Sequence, residues 1–315
     1  MTAAVAQSEE ATDTPPARRR RGTLHALRRV PWIVWVFLLV PVAMEAYWVF
    51  WPAMNSFSLS LTSWRGVGEA EYIGLANYER LASDPIFHTA LINNVIWVAV
   101  FGVFSVVLGL VFALALNKPR RGVGLYRIAL FLPMVVSLTV SGMFWRVMYQ
   151  PGGPINASLE LVGLETLQRQ WLADPDIALY AVLVAAIWRQ VGYIMVLYLA
   201  GLKGTDETLT EAAAVDGANA WQRFWRITMP QLRGVNTIIF AVTVIDSLRT
   251  FDIVWAMTRG GPYNQTQLLS TYMFQQGFTQ VNLGYGSAIA VVIFALAILF
   301  IITYLVRQAR SEEAQ

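Results

Sequence analysis

Long apolar segments alternate with polar ones along most of the chain, and six of them are long enough to cross a bilayer as helices. The first runs from Trp32 to Trp51 and contains Pro41, which predicts a bend in that helix. The other five lie at roughly 92–116, 128–148, 177–199, 235–256 and 286–306. This pattern predicts an all-α polytopic membrane protein with six transmembrane helices.

The first apolar segment follows a polar and then basic stretch, residues 1–29, which includes the arginine block from Arg18 to Arg21. The segment is longer than the hydrophobic core of a signal peptide and lacks a small-residue cleavage site, so we interpret it as a retained helix. Glu45 within it either faces a cavity or the membrane surface, or marks where the helix leaves the bilayer. We therefore expect a disordered basic tail over 1–29, a membrane domain over 30–308 and a short tail over 309–315.

Basic residues are distributed unequally between alternate polar segments. Sixteen of the 23 lysines and arginines lie in the N-terminal tail, the 117–127 and 200–234 loops and the C-terminus, whereas four lie in the alternate segments. Because Lys and Arg accumulate in cytoplasmic loops, both termini and the 200–234 loop are predicted to be cytoplasmic. We expect a multi-pass protein of the bacterial cytoplasmic (inner) membrane.

Composition removes several other classes of function. With 56% hydrophobic and 14% charged residues, the chain is not an ordinary soluble domain, and its net charge of +3 comes from the N-terminal tail rather than from a nucleic-acid surface. There is no cysteine, and His25 and His88 lie far apart, so no metal site is predicted. Neither Lys118 nor Lys203 follows a glycine, as a phosphate-binding loop requires, so the chain is not expected to bind ATP in that way.

A charged, helix-prone loop at 205–233 interrupts the apolar pattern. Thr208 and Glu211 have the spacing of a capping box, which predicts a helix over 209–216 that Gly217 ends by adopting a positive φ. Taken alone, these signals are equally typical of a solvated helical connection between two spans.

The second half of this loop repeats the helix-start signal. Asn219 and Gln222 are spaced as a second capping box, and Pro230 is expected to end the helix that follows. One face of that helix carries three aromatic residues, Trp221, Phe224 and Trp225. The pattern predicts two short helices joined at an elbow, with an aromatic flank suited to docking on another protein.

The spacing of the loop resembles the EAA loop in the membrane subunits of binding-protein-dependent ABC importers. Glu211-Ala212-Ala213 is followed by Gly217 and then by Ile227-x-x-Pro230, and Asp216-Gly217-Ala218 is similar to the sugar-type branch that includes maltose, trehalose and glycerol-phosphate importers. Met229 stands where the family usually has Leu, a volume-conserving difference. The resemblance assigns coupling to an ATPase to Glu211, Ala212, Ala213, Asp216, Gly217, Trp221, Phe224, Ile227 and Pro230.

Weaker motifs extend the resemblance over about residues 30–308, and they occur in the family's order: Tyr72 to Tyr78 with Asp84 and Phe87, Phe251-Asp252, Thr258 to Thr266, and Gly284 to Ala288. The resemblance implies the type I ABC importer permease fold. It also implies a second homologous permease subunit, two copies of a cytoplasmic ABC ATPase that bind ATP and Mg²⁺, and an extracytoplasmic sugar-binding protein that delivers a carbohydrate.

Polar and aromatic residues within the spans are candidates for a substrate path, because such side chains are costly in a bilayer unless they face a cavity, a partner or each other. The set is Asn94, Ser141, Trp145, Trp188, Arg189, Tyr193, Asp246, Arg249 and Asp252. Trp and Tyr suit the C–H faces of sugar rings, and the polar groups suit their hydroxyls. Alternatively, Asp246, Arg249 and Asp252 neutralise each other along one helical face, and the serine joins helices.

Two other functions fit the residues without the resemblance. An ion-gradient-driven secondary transporter would use the charged residues of the fifth span, although such proteins usually show an internal repeat of spans. A membrane scaffold would use the 211–230 loop only to recruit a partner. Within the ABC importers, a non-sugar solute such as glycerol phosphate is an alternative to a carbohydrate, and the sequence leaves open which permease subunit holds the main substrate site.

Overall fold

The computed structural model describes residues 32–313, and helices form nearly all of the regular structure in that range. An isolated antiparallel bridge joins Thr62 to Tyr72, and the described residues contain no longer strand. The tail predicted over residues 1–29 lies outside the described residues. The chain divides into two compact units, residues 1–54 and 55–315, and both candidate sites described below lie in the second.

Short connections join most of the helices. In chain order the helices are α1 (Trp32–Glu45), α2 (Trp51–Ser60), α3 (Ala76–Ser83), α4 (Pro85–Leu116), α5 (Val123–Val135), α6 (Leu138–Met148), α7 (Pro154–Leu161), α8 (Ala178–Lys203), α9 (Glu207–Val215), α10 (Ala220–Arg223), α11 (Met229–Gln231), α12 (Arg233–Arg249), α13 (Asp252–Met257), α14 (Leu269–Phe274) and α15 (Leu283–Glu313). Wider π-helical turns at Ala46–Phe50, Phe224–Thr228 and Gln275–Thr279 continue α1, α10 and α14.

Among the described residues, four helical stretches are long and apolar enough to cross a membrane: Val34–Ser60, Pro85–Leu116, Ala178–Lys203 and Leu283–Tyr304. They correspond to the first, second, fourth and sixth predicted spans. α4 begins well before the predicted residue 92, because the Asp84 carboxylate accepts hydrogen bonds from the amides of Ile86 and Phe87, and Pro85 suits the first helical position. α5 and α6 pass the same test of length and composition only when the two bent helices are taken together.

The third predicted span, 128–148, is wrong as one continuous helix. α5 and α6 meet at 103°, with the extended residue Val136 between them. Pro133 lies in the last turn of α5, where it removes a backbone donor, and the Ser137 hydroxyl accepts a hydrogen bond from the Val140 amide at 3.3 Å as the cap of a new helix. The break leaves backbone carbonyls near the bend that need partners from elsewhere in the fold.

The fifth predicted span, 235–256, is also interrupted. α12 ends at Arg249, Thr250 leaves the helical conformation with a ψ of 117°, and α13 begins at Asp252. The Ser270 hydroxyl, from the start of α14, donates a hydrogen bond to the carbonyl of Thr250. Asp252 therefore does not continue the helical face of α12, and the predicted ion cluster along one helical face is wrong for that residue.

The long helices α4 and α8 pack closely on each other and on α5. A Cβ atom added to Gly109 would lie 2.5 Å from the Ile194 side chain, and one added to Gly192 would lie 2.0 Å from the carbonyl oxygen of Leu130. Glycine at such crossings lets two helix backbones approach, which is a common way of packing helices in membranes. These contacts fix α8 between α4 and α5.

The segment that leads into α14 is held against α4 by two neighbouring asparagines. The Asn93 amide donates hydrogen bonds to the carbonyls of Gln265 and Gln267 at 2.8 and 2.9 Å, and Asn94 Oδ1 accepts from the amide of Leu269 at 2.7 Å. Both asparagine side chains are buried. The segment thus satisfies its backbone groups through α4, where a lipid-exposed loop would leave them without partners.

The beginning of α4 is tied to α14 and α15 through Asp84. The hydroxyls of Tyr272 and Tyr285 both donate hydrogen bonds to Asp84 Oδ2, while Oδ1 caps α4. The Arg80 guanidinium lies 4.0 Å from the centre of the Tyr285 ring, within the range of a cation–π contact. The Asp84 carboxylate thus links α4, α14 and α15 through hydrogen bonds at this end of the second unit.

Candidate functional site

The 205–233 loop begins with α9, whose free amides are capped by Asp206. Its Oδ1 accepts hydrogen bonds from the backbone amide of Thr208 at 2.9 Å and from the Thr208 hydroxyl at 2.7 Å. The predicted capping box of Thr208 and Glu211 is therefore wrong, because the Asp206 carboxylate lies closer to the helix start and serves as the acceptor. Glu211 instead lies in the middle of α9 with an exposed side chain.

Asp206 also joins the two ends of the loop. Its backbone amide donates a hydrogen bond to Gln231 Oε1 at 2.7 Å, and Gln231 is the last residue of α11. The hydroxyl and the amide of Thr208 hold the pKa of Asp206 below its usual value, because they stabilise the ionised carboxylate. The cap is therefore charged at neutral pH.

Gly217 ends α9 as the sequence predicts. Its φ is +85°, the amide of Gly217 donates to the carbonyl of Ala214 at 3.1 Å, and the amide of Ala218 donates to that of Ala213 at 2.9 Å. These two bonds form a Schellman motif, which closes the helix end on itself. No heavy atom lies within 4 Å of a Cβ built on Gly217, so backbone conformation rather than crowding favours glycine here.

The second capping box is confirmed, and the predicted helix end at Pro230 is wrong. Asn219 Oδ1 accepts from the amide of Gln222, and Gln222 Oε1 accepts from the amide of Asn219, both at 2.9 Å. The helix then passes Pro230, because the π-helical turn over 224–228, in which the Met229 amide donates to the Phe224 carbonyl, accommodates a residue without an N–H.

The aromatic flank of the loop forms one cluster with an exposed surface. Ring centroids lie 6.3 Å apart for Trp221 and Phe224, 5.6 Å for Trp221 and Trp225, and 5.1 Å for Phe224 and Trp225. The side chain of Trp221 is 70% exposed and that of Val215, at the end of α9, is 89% exposed. Large apolar side chains clustered on a polar loop are typical of a docking surface for another protein.

A cavity of about 340 Å³ lies between α4, the α5–α6 bend, α8 and the α12–α13 break. Trp97, Ala186 and Gln190 form a buried floor, whereas Asp246 and Asp252 lie at an exposed rim. Its polar lining residues are Arg189, Gln190, Asp246, Arg249, Thr250 and Asp252. The volume falls at the lower end of the range for small-molecule sites.

Arg189 links this cavity to the break between α5 and α6. Its Nε donates to the carbonyl of Val136 at 3.2 Å and its Nη2 to that of Met134 at 3.3 Å. The guanidinium thus satisfies carbonyls that the bend leaves without helical partners. Gln190, the next residue of α8, donates from Nε2 to Asp246 Oδ2 at 3.3 Å, which joins α8 to α12.

The structure brings four of the nine predicted substrate-path residues to one cavity, Arg189, Asp246, Arg249 and Asp252. Asn94 instead binds the start of α14, and Tyr193 packs against the hydrophobic cluster between α4 and α8. Trp145 and Trp188 contact each other, with ring centroids 5.6 Å apart, and do not line the cavity. Ser141 is buried in α6 and likewise does not line it.

The predicted set omits Trp97, which lines the cavity from α4. Its ring is fully buried and stacks on that of Phe101, with centroids 6.2 Å apart. A tryptophan inside an apolar helix gives no polar signal of its own. The one available indication is its position one helical turn after Asn93 and Asn94, on the same side of α4.

Comparisons with known proteins show that most of the chain is similar to membrane components of transport systems. The model of the family described as binding-protein-dependent transport system inner membrane component matches residues 95–311. A probable ABC transporter permease protein of Pyrococcus horikoshii is 35% identical over 90% of this chain and 98% of that protein. The lactose transport system permease protein LacF of Rhizobium radiobacter is 32% identical over 88% of this chain and 94% of that protein.

Among solved structures, a chain of a bacterial ABC transporter involved in the import of the acidic polysaccharide alginate is similar in fold. Its TM-score is 0.79 at 19% sequence identity, and the match covers 91% of this chain and 98% of that one. At this identity the likeness establishes the fold, and it confirms the predicted type I ABC importer permease architecture.

Proposed function

The chain belongs to the family of inner membrane components of binding-protein-dependent transport systems, whose members are non-catalytic membrane subunits, and from this premise we propose its specific role. It is the permease subunit of an ATP-driven importer that moves a carbohydrate across the cytoplasmic membrane. The observation that carries the proposal is the 205–233 loop, which combines the family's spacing with a closed helix end and an exposed aromatic cluster.

Coupling to a separate ATPase takes place through residues 211–230. Two copies of a cytoplasmic ABC ATPase bind ATP and Mg²⁺ and dock against the loop. The Schellman motif at Gly217, the capping box at Asn219 and the bond from Asp206 to Gln231 support this role, because a segment closed by hydrogen bonds moves as a unit. Movement of an ATPase would then move α12 rather than bend the loop.

Membership in the family supports the remaining partners of this proposal. A second homologous permease subunit completes the membrane core, and an extracytoplasmic sugar-binding protein delivers the substrate. The cavity residues Asp246, Arg249 and Asp252 are exposed in the single chain, which is compatible with a second subunit covering them. The similarity to a lactose permease and the mixture of amide, guanidinium, carboxylate and aromatic groups around the cavity support a carbohydrate as substrate.

Reconstitution of the whole transporter tests the proposal. Proteoliposomes containing this chain, its partner permease and the ATPase are supplied with the binding protein and a panel of labelled sugars that includes lactose and maltose. Uptake is expected only when ATP is present on the side of the membrane that carries the ATPase. Uptake by this chain alone, driven by an ion gradient without ATP, would instead establish a secondary transporter.

A matched pair of variants addresses the docking surface. Trp221→Ser with Trp225→Ser removes exposed rings from the loop, whereas Tyr126→Ser removes an exposed ring from α5, outside the loop. The double variant is expected to lose most ATPase co-purification while it remains inserted in the membrane, and Tyr126→Ser is expected to retain it. Equal co-purification by all three proteins would place the docking surface elsewhere.

A further inference from the structure

The charged residues that line the cavity are equal in number and opposite in sign. Arg189 and Arg249 contribute two guanidinium groups, Asp246 and Asp252 contribute two carboxylates, and the other lining residues carry no ionisable side chain. The cavity therefore has no net formal charge. A charged ligand would therefore meet no net charge of the opposite sign in the cavity.

One of the two cations is already engaged by the protein. Arg189 donates to the carbonyls of Met134 and Val136, so its donors hold the α5–α6 bend in place. The electrostatic influence of Asp246 reaches both arginines, and that of Asp252 reaches Arg189. An incoming anion would thus meet cations that are already compensated.

An anion would also meet repulsion. Asp246 lies about one helical turn before Arg249 on α12, and Asp252, beyond the break that follows α12, lines the same cavity, so two carboxylates border the space that an anion would enter. A charged group loses favourable hydration free energy on entering such a site. A lining with no net charge of the opposite sign does not offset that loss. A neutral hydroxyl avoids that cost and finds both acceptors and donors around the cavity.

We propose that this cavity selects an uncharged, hydroxyl-bearing ligand and excludes an acidic one of the same size, with Asp246, Arg249 and Asp252 as the residues that determine this specificity. The inference rests on the proposed carbohydrate function and narrows its substrate class to neutral sugars. The shared fold does not dictate this outcome, because the structural relative belongs to a transporter involved in the import of an acidic polysaccharide.

The test uses pairs of ligands of nearly the same size that differ at one terminal carbon, which is uncharged in one member and carries a negative charge in the other. Lactitol and lactobionate are open-chain relatives of lactose that end in a hydroxymethyl group and a carboxylate respectively, and maltitol and maltobionate form the corresponding pair for maltose. Binding is measured by saturation-transfer NMR on the assembled transporter in nanodiscs, without the binding protein, so that this cavity rather than a delivery protein sets the preference. For at least one pair, the wild type is expected to bind the alditol at least about tenfold more tightly than the aldonate.

Charge-changing variants locate the effect. Asp252→Asn and Asp246→Asn each give the cavity one net positive charge and are expected to bring the alditol-to-aldonate ratio close to one, whereas Arg249→Gln should increase it. Asp252→Glu keeps the charge and serves as the matched control, expected to retain the wild-type preference. Two separate Asp→Asn variants are made so that a folding defect in one, seen by size-exclusion chromatography, leaves the other to decide.

The possible outcomes distinguish a failure of the inference about ligand charge from a failure of the proposed carbohydrate function. Sugar binding with equal or tighter binding of the aldonates by the wild type would overturn the inference and leave the carbohydrate function standing. An unchanged ratio in both Asp→Asn variants would likewise overturn the assignment of specificity to these residues. Absence of binding by every neutral and acidic probe would overturn the carbohydrate function together with the inference.

Discussion

Gly217 occupies a backbone conformation that a β-branched residue adopts only under strain. The left-handed region costs an L-residue roughly 1–2 kcal/mol, and the open space around this position means that a side chain would not also clash. The residue matters here through the direction that it gives to the chain between α9 and α10.

We predict that Gly217→Val leaves the protein inserted in the membrane but lowers ATPase co-purification and transport-linked ATP hydrolysis by about tenfold, because the strain reopens the helix end. Gly217→Asn is the matched control, since asparagine tolerates this region of φ and should remain near the wild type. Wild-type coupling in Gly217→Val would show that the elbow does not transmit movement.

Asp206 makes the start of the same loop sensitive to acid. Its folded-state pKa lies below the usual value because of the hydrogen bonds from the hydroxyl and amide of Thr208. A group with a lowered pKa contributes stability that is present above its unfolded pKa, about 3.9, and is lost as the pH falls through the folded value. The stabilisation is therefore complete at neutral pH.

We predict that backbone protection at the start of α9, measured by hydrogen exchange and corrected for intrinsic rates, falls as the pH is lowered below about 4. Asp206→Asn retains a capping oxygen but no ionisable group, so protection in that variant should depend much less on pH. The same loss in both proteins would assign the acid sensitivity to other residues.

Broken helices place irregular backbone inside this membrane protein. The α5–α6 bend and the α12–α13 break both border the cavity, and their free carbonyls are taken by Arg189 and Ser270 respectively. Non-helical backbone at membrane depth is tolerated where it lines a cavity or is buried in protein. Both helix breaks therefore form part of the wall of the cavity.

The hydrogen bonds that attach the segment before α14 to α4 are expected to contribute to the stability of the protein. Asn93→Leu leaves the carbonyls of Gln265 and Gln267 without their buried donor, which should cost about 2–4 kcal/mol of stability. Thermal unfolding in detergent measures the loss, with Val95→Leu on the exposed side of α4 as the control. An unfolding midpoint equal to that of the control would contradict the role assigned to Asn93.

Orientation in the membrane is a property of the whole molecule, and the charge asymmetry of the loops predicts it. A fluorescent reporter fused after Gln315, or inserted within 202–208, should be active only in the cytoplasm, whereas a secreted phosphatase inserted near Gly163 should be active only outside. Complementary reporters at each site control for expression. Phosphatase activity from the 202–208 insertion would reverse the orientation and separate the loop from any cytoplasmic ATPase.

Features that depend on neighbours within a few residues can be predicted from the sequence alone. Gly217 ends α9, and Asn219 with Gln222 starts α10, because the bonds involved close between residues three to five positions apart. Hydropathy and charge likewise identified the long apolar helices. A local pattern is ambiguous where two side chains compete as acceptors, as Asp206 and Thr208 do for the start of α9.

The positions of the breaks in the spans, and the polar residues that come together, depend on contacts between helices that are distant in sequence. Arg189 of α8 stabilises the bend after α5, and Ser270 of α14 satisfies the carbonyl beyond α12, although both partners lie far away in sequence. For the same reason the sequence could not separate Arg189 and Asp246, which share the cavity, from Tyr193, which packs against its neighbours. Helix faces acquire their roles from the helices packed against them, and a pattern along one chain does not contain that information.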